Sequence, residues 1–315
     1  MNQDKSLIKL SDFEEIFNEK ATEYFKSCYQ KYNFEFEALN NETQEKFCVE
    51  IIEKLLHQEI PRSGEHRKDS WEKGWGENYD ALYSQKEFKK KALIPKYFRK
   101  ENKILRWRSK FIKPIAPDFE YNSLGILLDW VFDKYAREAK HIYEFGCGPG
   151  HNILRCMEVN SGAIFWGLDW AESSQRIIRG LRESHNFKNL NAVNFDYFNP
   201  NFEFNIMKKS LVYTVASLEQ VGEKWNFFIE YLLEQKPDIC VHIEPIEEVL
   251  DQDNLIDYLS IKYFEKRDYL SGFLSGLRAL ERESRIVIDS VIRTHIGSFF
   301  IEGYTIVIWR PVLPP

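Results

Sequence analysis

The chain has 315 residues, 43% of them hydrophobic and 15% aromatic, enough to build a sizeable core. Its net charge of −6 argues against a nucleic-acid binder driven by bulk charge, although a local basic patch is compatible with it. The scattered cysteines Cys28, Cys48, Cys147, Cys156 and Cys240 form no C-x-x-C pair, so buried thiols in a reducing compartment are expected rather than a disulfide framework or a zinc site. No signal-peptide core opens the sequence and no apolar run approaches the roughly 18 residues that span a bilayer, so a soluble, cytoplasmic protein is expected.

Residues 1–138 carry no convincing parallel-sheet strand. Their apolar residues fall at helical spacing, first Phe13, Ile16, Phe17 and Ala21, then Phe47, Ile51, Leu55 and Leu56. A turn-rich stretch is expected around Ser63-Gly64 and Gly74-Trp75-Gly76, where Trp71, Trp75 and Tyr79 suit a mobile cover over a site. The segment 86–113 holds twelve Lys or Arg against two Glu, interleaved with Phe88, Tyr97, Phe98, Trp107 and Phe111. Two readings stay open: a surface that grips phosphates and stacks bases, or a solvated helix with an apolar face. The segment 121–135 reads as an amphipathic helix with Leu124, Leu127, Leu128, Val131 and Phe132 on one stripe.

From His141 the grammar changes to short apolar strands alternating with helices. Strands are expected at 142–145, 163–168, 190–195, 211–216, 239–243, 286–292 and 304–309, with helices at 152–158, 174–183, 224–234 and a longer helical stretch at 254–283. The loop joining the last two strands is too short for a parallel crossover, so they should pair antiparallel.

The first of these strands runs through Glu144-Phe145-Gly146-Cys147-Gly148-Pro149-Gly150 into a helix. His151 stands where a dinucleotide-binding motif needs a small residue, and no Gly-Lys-Ser/Thr follows to make a P-loop. The loop resembles the E/D-x-G-x-G-x-G motif of the class I S-adenosylmethionine (SAM) dependent methyltransferases. Asp169 closes the second strand, Asp196 the third, and Ser217-Leu218-Glu219-Gln220 closes the fourth like the family's S-x-L-E-H. The resemblance covers about residues 140–311. It implies an α/β fold, a seven-stranded Rossmann-like sheet with the last strand antiparallel, preceded by a mostly helical N-terminal extension. The domains expected are a helical cap or substrate-recognition region at 1–138 and a SAM-binding methyltransferase domain at 139–315.

By the same resemblance, the cofactor residues are Glu144, Gly146, Cys147, Gly148, Gly150, Asp169, Trp170, Asp196, Tyr197 and Glu219. Asp169 would take the ribose hydroxyls, whose two donors a carboxylate accepts at about 1.5–3 kcal/mol each; the competing role is a helix cap. Asp196 is placed near the adenine amine, or in a simple turn. Cys147 is a small filler rather than a nucleophile, having no partner base.

The acceptor should lie beyond the strands' carboxyl ends. His242 and Glu244, two apart on the fifth strand, share a face and are the candidate catalytic bases, with a hydrogen-bonded sheet histidine as the alternative for His242. Glu247, Glu248, Asp251 and Asp253 read as a solvated loop and helix start rather than a metal site, and no metal is expected. Beyond them Tyr258, Tyr263, Phe264, Arg267, Tyr269 and Phe273 offer an aromatic and basic mixture for a sugar or aromatic acceptor, with Arg293 and His295 also within reach. The expected activity is methyl transfer from SAM to an oxygen, less favourably a nitrogen, of a small-molecule or glycan acceptor. The alternatives are an RNA methyltransferase using 86–113 and a SAM-binding pseudoenzyme acting as a regulatory subunit.

Overall fold

The computed structural model describes residues 5–84, 87–99 and 103–312. The amino-terminal region begins with β1 (Lys5–Leu7) and α1 (Leu10–Phe17), followed by α2 (Glu23–Tyr29), β2 (Glu35–Ala38) and α3 (Asn41–His57). Thr22 and Asn40 start α2 and α3 by accepting the backbone N–H groups of Phe25 and Thr43. Then come α4 (Lys68–Tyr83), β3 (Leu105–Trp107), β4 (Lys110–Pro114) and α5 (Phe119–Tyr135). The region is mostly helical, as expected, but it also carries short antiparallel strands of three to five residues. They are too short for alternation to announce them in the sequence.

Gly74 and Gly76 do not make a turn; they lie inside α4. Each glycine in a helix costs about 1 kcal/mol relative to alanine. Aromatic packing against the next layer offsets this, as Tyr79 receives the Arg176 guanidinium at 4.0 Å and Tyr83 packs onto Gly180. In α5 nearly every residue from Phe119 to Phe132 is buried. It is a core helix, not an amphipathic one, and its deepest carboxylate, Asp129, is answered by Arg155 at 2.9 Å and the Tyr32 hydroxyl at 2.8 Å.

The carboxyl-terminal half contains β5 (His141–Phe145), α6 (His151–Val159), β6 (Ile164–Asp169), α7 (Glu172–Ser184), β7 (Leu190–Asn194), β8 (Ser210–Val215), α8 (Asn226–Gln235) and β9 (Ile239–Glu244). It ends with α9 (Leu255–Arg267), α10 (Phe273–Arg282), β10 (Ile286–Ile292), β11 (Ile296–Gly297) and β12 (Thr305–Pro311). One seven-stranded sheet runs β10-β12-β9-β8-β5-β6-β7, parallel throughout except for β12, which is antiparallel to both neighbours. Alternation distributes the core: Ile142 with Val241 and Ile243 meets α5, α6 and α7, while Tyr143 and Phe145 with Cys240 meet α8 and α10. The long stretch 254–283 is two helices, broken where Asp268 takes a left-handed conformation (φ 51°). The Arg267 carbonyl there accepts the backbone N–H of Ser63 at 2.7 Å.

β11 leaves the large sheet and pairs with β3, giving a second sheet of order β1-β2-β4-β3-β11. Arg106 of β3 pins this junction from within, donating to the carbonyls of Ile256 (2.7 Å), Phe299 (3.2 Å) and Phe300 (3.0 Å) and to the Ser260 hydroxyl. It is 3% exposed, and burial pushes its pKa down to about 10. Arg106→Met would strand three buried carbonyls, a loss of the order of 3 kcal/mol. A thermal melt should show Tm lower by about 5–10 °C; an unchanged Tm would mean the carbonyls find water instead.

Candidate functional site

β5 stops at Phe145 and turns into α6 through Gly146, Gly148 and Gly150, all at positive φ (67°, 49° and 78°). At Gly150 a Cβ would come within 2.5 Å of Ile178, so only glycine lets α7 close on the loop. Asp169, at the end of β6, fixes the loop directly: one carboxylate oxygen accepts the Gly148 N–H at 2.8 Å, the other the Ala171 N–H at 2.9 Å. It does not cap α7. That task falls to Glu72 of α4, whose carboxylate accepts the Ser173 N–H at 3.0 Å. Nothing in the local sequence signals so remote a cap. Burial holds the Asp169 pKa up at about 6, against the pull of its two N–H donors.

Glu144 lies beneath the loop, 1% exposed, accepting from Asn152 of α6 at 2.8 Å and from the Tyr213 hydroxyl at 3.2 Å. Burial raises its pKa to about 8. The Cys147 thiol is buried beside the Ser174 hydroxyl at 3.5 Å, and burial pushes its pKa well up, which leaves it without nucleophilic character.

Above the loop lies a cleft of about 710 Å³. Gly146, Cys147, Gly148, Asp169, Trp170 and Tyr197 of the expected set line it; Glu144, Gly150, Asp196 and Glu219 do not. Asp196 instead closes a turn by accepting the Phe198 N–H at 2.9 Å. Trp170 and Phe198 stack at one side, with ring centroids 5.8 Å apart. α4 forms the cover, with Trp71 stacked on Trp75 at 5.4 Å, and Trp75 lies so close to Gly148 that a Cβ there would come within 2.9 Å. Several polar atoms that line the cleft have no hydrogen-bond partner among the described residues: both His151 ring nitrogens, Trp71 Nε1 and Gln220 Oε1. A polar ligand in the cleft would satisfy them, so the lining fits a cofactor with both aromatic and hydrogen-bonding parts.

A second cavity, of about 1120 Å³, adjoins the first and shares Trp71, Tyr97 and Ala216 with it. Tyr97, which lines both spaces, is 45% exposed in all. Glu219 lines the second cavity, not the cleft, with Gln220 Nε2 donating to it at 2.9 Å. Burial, and then the neighbouring Glu244, raise its pKa to about 8.

Neither expected catalytic residue lines either cavity. His242 is fully buried, with Nδ1 3.0 Å from the Thr214 hydroxyl and Phe273 and Trp309 packed around its ring; burial takes its pKa to about 3. Glu244 accepts the backbone N–H groups of Ser217 (3.1 Å), Leu218 (3.1 Å) and Glu219 (3.2 Å). It anchors the loop after β8. Of the aromatic insert only Tyr269 reaches the second cavity, and Arg293 is spent on Asp257 and Glu302. His295, at φ 58°, lines neither space. Glu120, Tyr304, Phe299 and Phe300 line the second cavity although nothing in the sequence singled them out.

The basic segment is not a solvated helix, and most of its described cations are paired, with Lys89, Lys91 and Lys110 left exposed without a side-chain partner among the described residues. After two 3-10 turns, Lys90–Leu93 and Lys96–Arg99, it enters the β3–β4 hairpin. Lys90 pairs with Glu158, Lys96 with Glu77, Lys103 with Glu120, Arg108 with Glu15 and Lys113 with Glu37, while Arg99 and Arg106 are taken up by backbone carbonyls. Lys86 and Lys100 lie outside the described residues. Among the described residues no cluster of three or more His, Cys, Asp or Glu is placed to hold a metal ion, and no helix is long and apolar enough to cross a membrane. Glu247 and Glu248 are engaged locally, accepting from the Ser271 hydroxyl and the Ser275 N–H.

The central strand enters the glycine loop, the acid at the end of the second strand holds that loop, and the last strand alone is reversed. This is the seven-stranded Rossmann-like sheet, with β12 reversed, that the sequence led us to expect. No family model matches the chain, and no curated protein does. Solved structures similar to it include a SAM-dependent methyltransferase from Aquifex aeolicus, 14% identical with a TM-score of 0.41, over 59% of this chain and 89% of that one. Geranyl diphosphate methyltransferase in complex with SAM is 13% identical with a TM-score of 0.41, over 63% of this chain and 92% of that one. Magnesium protoporphyrin IX methyltransferase from Synechocystis is 11% identical with a TM-score of 0.46, over 63% of this chain and 88% of that one.

The buried acids give the fold a distinctive pH dependence. Burial raises Glu144 and Glu219 to about 8 and Glu244 to about 7, from a usual 4.5, so the folded chain holds protons that the unfolded chain releases. Their contribution is complete below the unfolded value and is lost as pH rises through the folded one. His151 and His242, lowered to about 3 from 6.5, act oppositely and only below about pH 6.5. The Tm of the ligand-free protein should therefore fall as pH rises from about 6.5 to about 8, and Glu144→Gln should flatten the fall. A Tm that climbs through that interval would contradict these burial effects.

Proposed function

We propose that the chain is a SAM-dependent methyltransferase acting on a small-molecule acceptor, with residues 1–138 supplying the cover and much of the acceptor chamber. The observation that carries this reading is the pairing of the two spaces: a cleft on the glycine loop joined, through Trp71, Tyr97 and Ala216, to a second and larger cavity. Asp169 would accept the ribose hydroxyls in place of its present N–H partners, and Trp170 with Phe198 would flank the base. His151 and Gln220 face the remainder of the cleft with unpaired polar atoms. Bound SAM supplies a sulfonium methyl group open to attack by an oxygen or nitrogen nucleophile.

The chain's own contribution is alignment and proton removal. Tyr97 and Trp71 hold the wall between the two spaces and exclude water from it. Glu219 takes the proton of the acceptor's O–H or N–H, the role expected of His242 and Glu244, because of the three it alone lines the second cavity. Its raised pKa favours a proton acceptor near neutrality once a cation in either cavity stabilises the carboxylate. Glu244 acts through Glu219 as a positioning residue. An RNA acceptor is disfavoured by the internal pairing of the basic segment, since a strand-binding surface needs cations left free for phosphates.

Calorimetry should show binding of S-adenosylhomocysteine (SAH) and none of NAD. Asp169→Ala should weaken SAH binding by roughly 10- to 100-fold, the loss of one or two charge-assisted bonds. NAD binding with no response to SAH would sink the reading, as would a folded Asp169→Ala variant of undiminished affinity.

A further inference from the structure

The second cavity has a charge inventory that selects among acceptors. Its charged liners, among the described residues, are Lys103, Glu120 and Glu219. Lys103 is already committed, donating to the Glu120 carboxylate and, at 2.5 Å, to the Tyr97 carbonyl. That pair is mostly buried, at 18% and 10% side-chain exposure, and is neutral as a unit. Of the described liners, Glu219 is therefore the one carboxylate without a cationic partner bonded to it; Gln220 and the Tyr269 hydroxyl donate to it, and the Arg267 guanidinium, which itself donates to the Tyr269 hydroxyl at 3.0 Å, acts on it only from a distance. The walls around it are aromatic, with Tyr97, Tyr269, Tyr304, Phe299 and Phe300 lining the space.

These features discriminate. A phosphate or carboxylate ligand needs a free cation, and among the described residues the lining offers none. A purely apolar ligand would leave Glu219 in its protonated form, whereas a cation beside it favours the carboxylate. An ammonium group answers both features, because it pairs with a carboxylate and is attracted to the electron-rich faces of Tyr, Trp and Phe. We propose that the second cavity binds the ammonium end of a small aromatic amine, with Glu219 as its counter-charge and the aromatic lining around it.

This inference rests on the methyltransferase reading, which makes the cavity an acceptor site, and it names the acceptor's class. Glu219 then has two linked tasks: it holds the ammonium, and where nitrogen is the nucleophile it takes one proton from it. That transfer turns the carboxylate into the acid and the ammonium into a neutral amine with a free electron pair.

The test uses the full chain saturated with SAH and three probes that share a ring and differ in the charge of the tail: tyramine, para-ethylphenol and para-hydroxyphenylacetate. Tyramine should bind tightest, at least about tenfold over para-ethylphenol, with para-hydroxyphenylacetate weakest. Glu219→Gln should remove the tyramine preference. Glu120→Gln, which leaves the Lys103 ammonium without its counter-charge, should move the ordering towards the carboxylate probe. Tyramine binding no tighter than para-ethylphenol, or an ordering unchanged in both variants, overturns the proposal. A protein that binds SAH but shows no amine preference overturns the amine assignment alone; one that does not bind SAH removes the methyltransferase reading and this inference with it.

Discussion

The architecture of the site depends on one carboxylate. Glu244, at the tip of β9, accepts three successive backbone N–H groups from the loop that follows β8. Three donors favour its ionised form and burial opposes them, leaving a pKa of about 7. The loop it captures begins at Ala216, a non-glycine residue held at φ 44°, a conformation that persists only where the surroundings impose it. From that fixed start Ser217 and Gln220 face the glycine-loop cleft and Glu219 faces the second cavity. Ser217 also donates to the Phe145 carbonyl at 3.1 Å and meets the Tyr197 hydroxyl at 3.1 Å. The relative placement of the two spaces is thus set by the sheet, through short bonds among the ends of β5, β8 and β9 and the turn after β7.

The amino-terminal region completes what the sheet begins. Glu72 caps α7 across the fold, and that contact, with Arg176 on Tyr79 and Tyr83 against Gly180, docks α4 over the glycine loop and carries Trp71 and Trp75 into the cleft. Tyr97 reaches the boundary of the two spaces from the second 3-10 turn. Arg106 fastens β3 to the loop between β10 and β12, which also donates the fifth strand of the small sheet. The cationic residues of 86–113 therefore serve mostly as internal ties. A count of charges along the sequence could not distinguish that use from a nucleic-acid surface, because each partner acid lies far away in the chain.

The large sheet was legible because its physics is local. Each strand from β5 to β12 that joins it is a short apolar run between turn signals, and the glycines at 146, 148 and 150 mark the one sharp turn that a Cβ would block. Trp170 and Tyr197 fell in the cleft because strand ends can be read from the same pattern. The second cavity was not legible. Glu120 sits on a helix whose sequence suggested a simple stripe, Phe300 belongs to a loop read only for its length, and Tyr304 was read only as the start of the last strand. His242 and Glu244 share a face of β9, as alternation demands, but that face turns into the core of α8 and α10, which periodicity alone does not reveal. Gly74 and Gly76 misled for a related reason: tertiary packing of the α4 aromatics on α7 overrides the local preference for a turn.

The most direct test of the account is a crystal structure of the protein with SAH bound. The account places the cofactor against Gly148 and Asp169, the base between Trp170 and Phe198, Trp75 displaced from its present position on Gly148, and the sulfur directed at the Tyr97 wall. SAH bound away from the glycine loop, or a sulfur turned away from the second cavity, would contradict it.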